Sequence, residues 1–213
     1  MKQQLKIKVC GMRKAENIRD VEALGVDMMG FIFWPKSSRY VSERPTYLPS
    51  TKRVGVFVDE EIKQVKRIAD EYSLDYIQLH GSESPDYIRR LLSICGDTLA
   101  TIKAFNIATT DDLEATKAYE GLVDYFLFDT KGKCVGGNGE KFDWSVLASY
   151  DGATPFLLSG GIGPDDAERI CNLFCAGSGS VATKCVGIDL NSRFEVEPGI
   201  KDINKLKQFL ERL

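Results

Sequence analysis

The chain has 213 residues, 43% of them hydrophobic and 28% charged, with a formal net charge of −3. That is enough length for one domain with a sizeable core, in the composition range of an ordinary soluble globular protein. The slightly acidic balance excludes the broad basic footprint used on nucleic acid or an acidic membrane, so an anionic ligand must be held by local devices.

The first element, "KIKVC" at 6–10, is a short alternating strand that ends on Cys10 and Gly11. "KAENIRDVEALG" follows with Ile18, Val21 and Leu24 at helical spacing and Gly25 at its end. "MMGFIF" (28–33) and "RVGVFV" (53–58) read as further strands. In "EEIKQVKRIADEY" the residues Ile62, Val65, Ile68 and Tyr72 form a helical stripe. "YIQLH" (76–80) is the fourth strand, and "SESPDYIRRLL" opens a helix with Ser84 as N-cap and Pro85 at the first helical position. "ATIKAF" (100–105), "YFLFD" (125–129) and "PFLLS" (155–159) are strands five to seven. "GPDDAERICNLF", the strand "CVGIDL" (185–190) and the helix "DINKLKQFLERL" complete the chain.

Strand followed by helix about eight times, at near-equal intervals, predicts a parallel sheet covered by helices. Eight similar units without a long insertion favour a single closed (β/α)8 TIM barrel over residues 1–213, ahead of an open doubly wound sheet. In such a barrel the C-terminal strand ends share one face, where the active site lies. Those ends here carry a thiol, acids, glycines and small hydroxyls, whereas the strand starts offer nothing comparable. The asymmetry predicts an enzyme.

Cysteine and histidine counts narrow the chemistry. Six cysteines without a Cys-x-x-Cys pair are too few for a disulfide scaffold. A zinc site from Cys171, Cys175, Cys185 and the sole histidine, His80, has no recognised spacing. Small buried hydrophobes in a reducing cytoplasm are the better reading. "MKQQLKIKVCG" lacks the apolar core of a signal peptide, and no run approaches the roughly 18 apolar residues of a membrane span. A cytoplasmic location is therefore expected. One histidine also disfavours Ser-His-Asp hydrolysis and leaves proton transfer to carboxylates or thiols.

Three stretches carry the chemistry. "LLSGGIGPDDAE" places Ser159, Gly160 and Gly161 before a helix N-terminus, and "GIDLNSRFE" adds Asn191 and Ser192; loops at this point of such a barrel commonly bind phosphate. Asp129 in "YFLFDT" follows an apolar run and would be partly desolvated, as suits a general acid, although it could equally cap the next loop. The glycine-rich "KGKCVGGNGEKFDW" could cover the site or be an ordinary surface loop. Arg39 in "WPKSSRYVS" is a natural bidentate partner for a carboxylate, though a lone loop arginine is more often solvated. Lys103 in "IKAF" could form a Schiff base, but an inward structural cation is preferred.

The ordered set "KVCGM", "GFIFWPKSSRYV", "VGVFV", "IQLHG", "FLFDT", "GGNGEKFDW", "LLSGGI" and "GIDLNSRFEVEPGIKD" resembles the phosphoribosylanthranilate isomerase family over nearly the whole chain. The resemblance implies an Amadori rearrangement of a small phosphosugar without cofactor or metal. It implies Asp129 as general acid at the furanose oxygen, Cys10 as thiolate base at C2′ and Arg39 as holder of the anthranilate carboxylate. Gly160, Gly161, Asp189, Asn191 and Ser192 match the phosphate-binding positions. A thiolate base would profit from a lowered pKa at an electropositive mouth, and Gly11 would leave room for substrate. Three features differ from the family's habit: Asn191-Ser192-Arg193 stands for the usual Ser-Ser-Gly, Asn138 for the threonine of the glycine-rich loop, and "CAGSGSVATK" before strand eight is long. The partners implied are the substrate alone, with neither nucleic acid nor membrane, and the chain working as a monomer or homodimer. The alternatives are a sibling phosphosugar isomerase or lyase, and a non-catalytic phosphosugar-binding barrel or thiol redox sensor.

Overall fold

The computed structural model describes residues 5–96, 99–130, 144–175 and 184–213. Eight parallel strands close into a barrel in chain order. They are β1 (Lys6–Cys10), β2 (Met28–Ile32), β3 (Lys52–Phe57), β4 (Tyr76–Leu79), β5 (Ala100–Ile107), β6 (Tyr125–Thr130), β7 (Phe156–Ser159) and β8 (Cys185–Leu190). β1 closes the ring on β8, with Lys8 directly opposite Asp189.

Five α-helices lie among the described residues: α1 (Ala15–Glu22), α2 (Ile62–Tyr72), α3 (Pro85–Cys95), α4 (Ala167–Cys175) and α5 (Ile203–Leu210). The Ser84 hydroxyl accepts from the Tyr87 N–H ahead of Pro85, as the sequence predicts. The expected alternation is less regular than eight helices. Residues 33–51 form no helix; Pro35, Pro45 and Pro49 fall there, each removing a backbone donor and fixing φ. Glu22 of α1 fastens this segment instead, accepting from the Tyr47 hydroxyl and from the N–H groups of Ser50 and Thr51. The β5–β6 and β6–β7 links carry 3₁₀ turns at Thr110–Tyr119 and Trp144–Ser149. In the first, the buried Leu113 and Thr116 stand three apart, the 3₁₀ period.

The core has two layers. Met28, Val54, Ile102, Ala104, Leu127, Leu157 and Val186 fill the barrel interior. A larger shell, including Phe31, Phe126, Phe128, Phe156 and Ile188, packs between strands and helices. Each such side chain contributes roughly 1.5–3 kcal/mol relative to exposure. Period-two alternation sends Lys8 and Cys10 to the inner face of β1 and Val9 to the outer shell. On β8 a register shift intervenes: Phe156 pairs with Cys185 but Leu157 with Gly187. The extra residue resets the alternation, so Ile188 and Leu190 join the outer shell while Asp189 turns inward.

Candidate active site

The C-terminal ends of β1, β4, β6, β7 and β8 surround a single mouth of about 630 Å³, counted to its open rim. Eight residues singled out from the sequence for catalysis or phosphate binding line it: Cys10, Asp129, Ser159, Gly160, Gly161, Asp189, Asn191 and Ser192. Arg39 stands beside it, its Cδ 2.7 Å from where a Cβ on Gly11 would lie.

Cys10 is 4% exposed and faces the mouth from the end of β1. Gly30 lies opposite it on β2, where a Cβ would come within 2.7 Å of the thiol sulfur. Glycine on β2 is therefore what makes space for the thiol. Burial pushes the Cys10 thiol above its usual range, against the opposing attraction of the Lys8 ammonium and, more weakly, Lys201. The sequence-based expectation of a lowered value is thus reversed. The mouth does supply cations, but desolvation of a fully enclosed thiol outweighs them.

Beneath Cys10 lies a buried ion pair. Lys8 Nζ is 2.8 Å from Asp189 Oδ1, with the two side chains 0% and 5% exposed. Gly11 has a φ of +81°, and the space where its side chain would be is occupied by Arg39 and by Asn191 Oδ1. Gly11 therefore serves a left-handed turn and the close approach of those two residues, and does not leave room for substrate as expected.

Asp129 is the penultimate residue of β6, with its side chain 19% exposed. Its Oδ2 lies 3.6 Å from His80 Nε2, and His80 Nδ1 is 3.0 Å from Gln78 Nε2. With the amide donating to Nδ1, the ring proton sits on Nε2 and faces the carboxylate. Gln78 is 1% exposed, and its Oε1 has no partner among the described residues. Neither Gln78 nor a link between His80 and Asp129 was read from sequence. The signal was available, since Gln78 on β4 and His80 just past its end are two apart in extended chain and so face the same way.

On β7 the chain leaves through Gly160 and Gly161, with φ of +92° and +68°, conformations that only glycine adopts readily. Gly163 donates its N–H to Asp166 Oδ2 at 2.8 Å, so that amide is already engaged. After β8, Asn191 Oδ1 accepts from Lys201 Nζ at 2.8 Å. Asp189 sits on the wall, but its carboxylate is Lys8's counter-ion. An anion repels phosphate, which disfavours a direct contact from this side chain.

Arg39 makes a bidentate pair with Glu195: Nε to Oε1 at 2.9 Å and Nη2 to Oε2 at 2.6 Å. Lys103 is buried but alternates with Ile102 and Ala104, which face the interior. It therefore points outward, correcting the inward placement. Its ammonium binds the Gly81 carbonyl at 2.8 Å and Glu83 Oε2 at 3.0 Å, tying down the loop after β4. No three His, Cys, Asp or Glu side chains form a metal-binding group among the described residues. The glycine-rich loop with Asn138 lies outside the described residues, as do Cys134 and the side chain of Cys175. Within the described part, no helix is long and apolar enough to cross a membrane.

This geometry has a counterpart among known proteins. The family model described as N-(5'phosphoribosyl)anthranilate (PRA) isomerase matches residues 7–212. The Parabacteroides distasonis N-(5'-phosphoribosyl)anthranilate isomerase is 50% identical, over 97% of this chain and 92% of its own length. That of Phocaeicola vulgatus is 46% identical, over 96% of this chain and 99% of its own. The crystal structure of the Thermotoga maritima enzyme superposes with a TM-score of 0.81 at 30% identity, each chain 98% covered. By these matches, spanning nearly the whole barrel, the chain belongs to the phosphoribosylanthranilate isomerase family.

Proposed function

We propose that this chain performs the family's reaction with Cys10 as base and Asp129 as acid. The reaction converts N-(5-phosphoribosyl)anthranilate into 1-(2-carboxyphenylamino)-1-deoxyribulose 5-phosphate in tryptophan biosynthesis. The observation that carries the assignment of roles is the placing of Cys10, on β1, and Asp129, on β6, in the wall of one mouth. Acid and base thereby reach a single sugar from different sides, as the chemistry requires.

Asp129 protonates the furanose oxygen, and the ring opens to an iminium. His80, backed by Gln78, orients the carboxylate and buffers its charge after the proton leaves. The iminium acidifies the adjacent C2′–H, so a modest base suffices. Cys10 takes that proton as thiolate, and the enolamine tautomerises to the ketone. Lys8 and Lys201 supply the positive field that favours the thiolate.

The phosphate is held by the glycine turn Gly160–Gly161 together with Asn191 and Ser192, through backbone and side-chain donors. Asp189 contributes indirectly, as counter-ion to Lys8. The unpaired edge of Arg39 takes the anthranilate carboxylate. The enzyme works on this small molecule as a monomer or homodimer in the cytoplasm.

The test is to mix purified protein with the phosphoribosylanthranilate and follow loss of substrate fluorescence. Acceleration over the uncatalysed decay is expected, and its absence overturns the assignment.

A further inference from the structure

We propose that Glu195 is a positioning residue for substrate-carboxylate recognition, holding Arg39 by one edge so that its other edge is presented at the thiol. The inference rests on reading Arg39 as the carboxylate-binding residue.

A guanidinium offers five N–H groups in a planar fork. Glu195 takes the Nε–H and one Nη2–H, with distances of 2.9 and 2.6 Å. The Nη1–Nη2 edge is left over, and among the described residues Nη1 has no partner. That edge matches a second carboxylate. A flexible loop arginine would sample many orientations, but this one is fixed, because its holder is itself fixed.

Glu195 is buried on the hairpin of β9 (Glu195–Glu197) and β10 (Ile200–Lys201). Its Oε1 also accepts from Lys201 Nζ at 2.7 Å and from the Gly199 N–H at 3.1 Å. Lys201 is locked in turn. Its ammonium binds Asn191 Oδ1 at 2.8 Å, its N–H binds Asn17 Oδ1 at 2.7 Å, and its carbonyl accepts from Asn17 Nδ2 at 2.9 Å. The chain of contacts therefore runs from α1 through the hairpin to the loop after β2. The Arg39 stem crosses Gly11, next in sequence to Cys10, so the free edge and the thiol serve one bound molecule.

A simple staple between two loops would use the same contacts, and substrate chemistry separates the two roles. The experiment measures kcat and KM for the parent, Glu195→Gln, Arg39→Ala and the double variant. Two substrates are used: N-(5-phosphoribosyl)anthranilate and its aniline analogue, which lacks the carboxylate. Glu195→Gln is expected to lose up to about 100-fold in kcat/KM on the carboxylated substrate, mostly through KM. On the aniline analogue its loss is expected to be no more than a few-fold, and in the Arg39→Ala background the further loss vanishes. Equal losses on both substrates, or no loss on either, overturn the proposal. If Arg39→Ala shows no preferential loss on the carboxylated substrate, it is the reading of Arg39 that fails. Should Glu195→Gln fold poorly with its two cations uncompensated, Glu195→Asp keeps the charge but shortens the reach to Arg39, and is read against the same criteria.

Discussion

Lys8→Met tests the ion pair beneath Cys10. Methionine preserves most of the stem's volume but removes the ammonium, leaving Asp189 as an anion whose side chain is 5% exposed. Because both partners are enclosed and 2.8 Å apart, solvent screening is small, and breaking such a pair costs about 3–5 kcal/mol. In a chain of this size that corresponds to a fall in Tm of roughly 6–20 °C. Burial, the largest single influence, pulls the Lys8 pKa down, but the charges and hydrogen bonds of Asp189 and Cys10 together outweigh it, and the net shift is upward from 10.5. A raised cation contributes fully below its unfolded value and loses that contribution as pH rises through the folded one. The gap between parent and variant should therefore be constant from neutral pH to about 10 and narrow only above 10.5. Urea unfolding followed by tryptophan fluorescence measures it, alongside Lys8→Met/Asp189→Leu. The double variant removes both charges and should recover most of the loss. A single variant within about 1 kcal/mol of the parent would refute the buried-pair argument, because that is the scale of a solvated surface pair. A double variant as unstable as the sum of the singles would refute it equally.

Asp129→Asn should nearly abolish turnover, and Cys10→Ser should cut kcat by orders of magnitude while a product analogue still binds. A Cys10→Ser variant with normal turnover would show that the base is misassigned. Since burial raises the Cys10 thiol and the thiolate is the active form, kcat should climb with pH across roughly 7 to 9, in parallel with alkylation of Cys10. A flat profile over that range would remove the thiolate from the mechanism. Despite the cost of burial, donors from Tyr47, Ser50 and Thr51 hold Glu22 at about 2, below its ordinary 4.5. Its contribution is present above 4.5 and lost as pH falls toward 2, so Glu22→Gln should flatten the acid limb of stability there. An unchanged acid limb in urea midpoints would contradict the fastening role of Glu22.

Sequence and structure divide the site between them in a definite way. "KIKVC", "YFLFD" and "PFLLS" are short and periodic, and period-two and 3.6-residue patterns depend on neighbours a few positions apart. Strand count, barrel class and the membership of Cys10, Asp129 and Gly160–Gly161 in one mouth were accordingly legible. Strand boundaries came within two residues, while the links after β2 and β5 were not the α-helices that the alternation implied. The first of these links depends on its prolines and on the anchor Glu22, 25 residues from Tyr47.

What the residues touch was decided only by closure of the barrel. Lys8 meets Asp189 across 181 positions, and Arg39 meets Glu195 across 156. The register shift on β8, invisible as a motif, turned Asp189 inward to Lys8. The direction of the Cys10 shift likewise depended on enclosure by Gly30 and its surroundings, which desolvate the thiol more than two lysines can offset. Local patterns determine which face a residue occupies, because backbone periodicity is local. Charge partners and dielectric are set by segments far apart in the chain, and these meet only when the sheet closes.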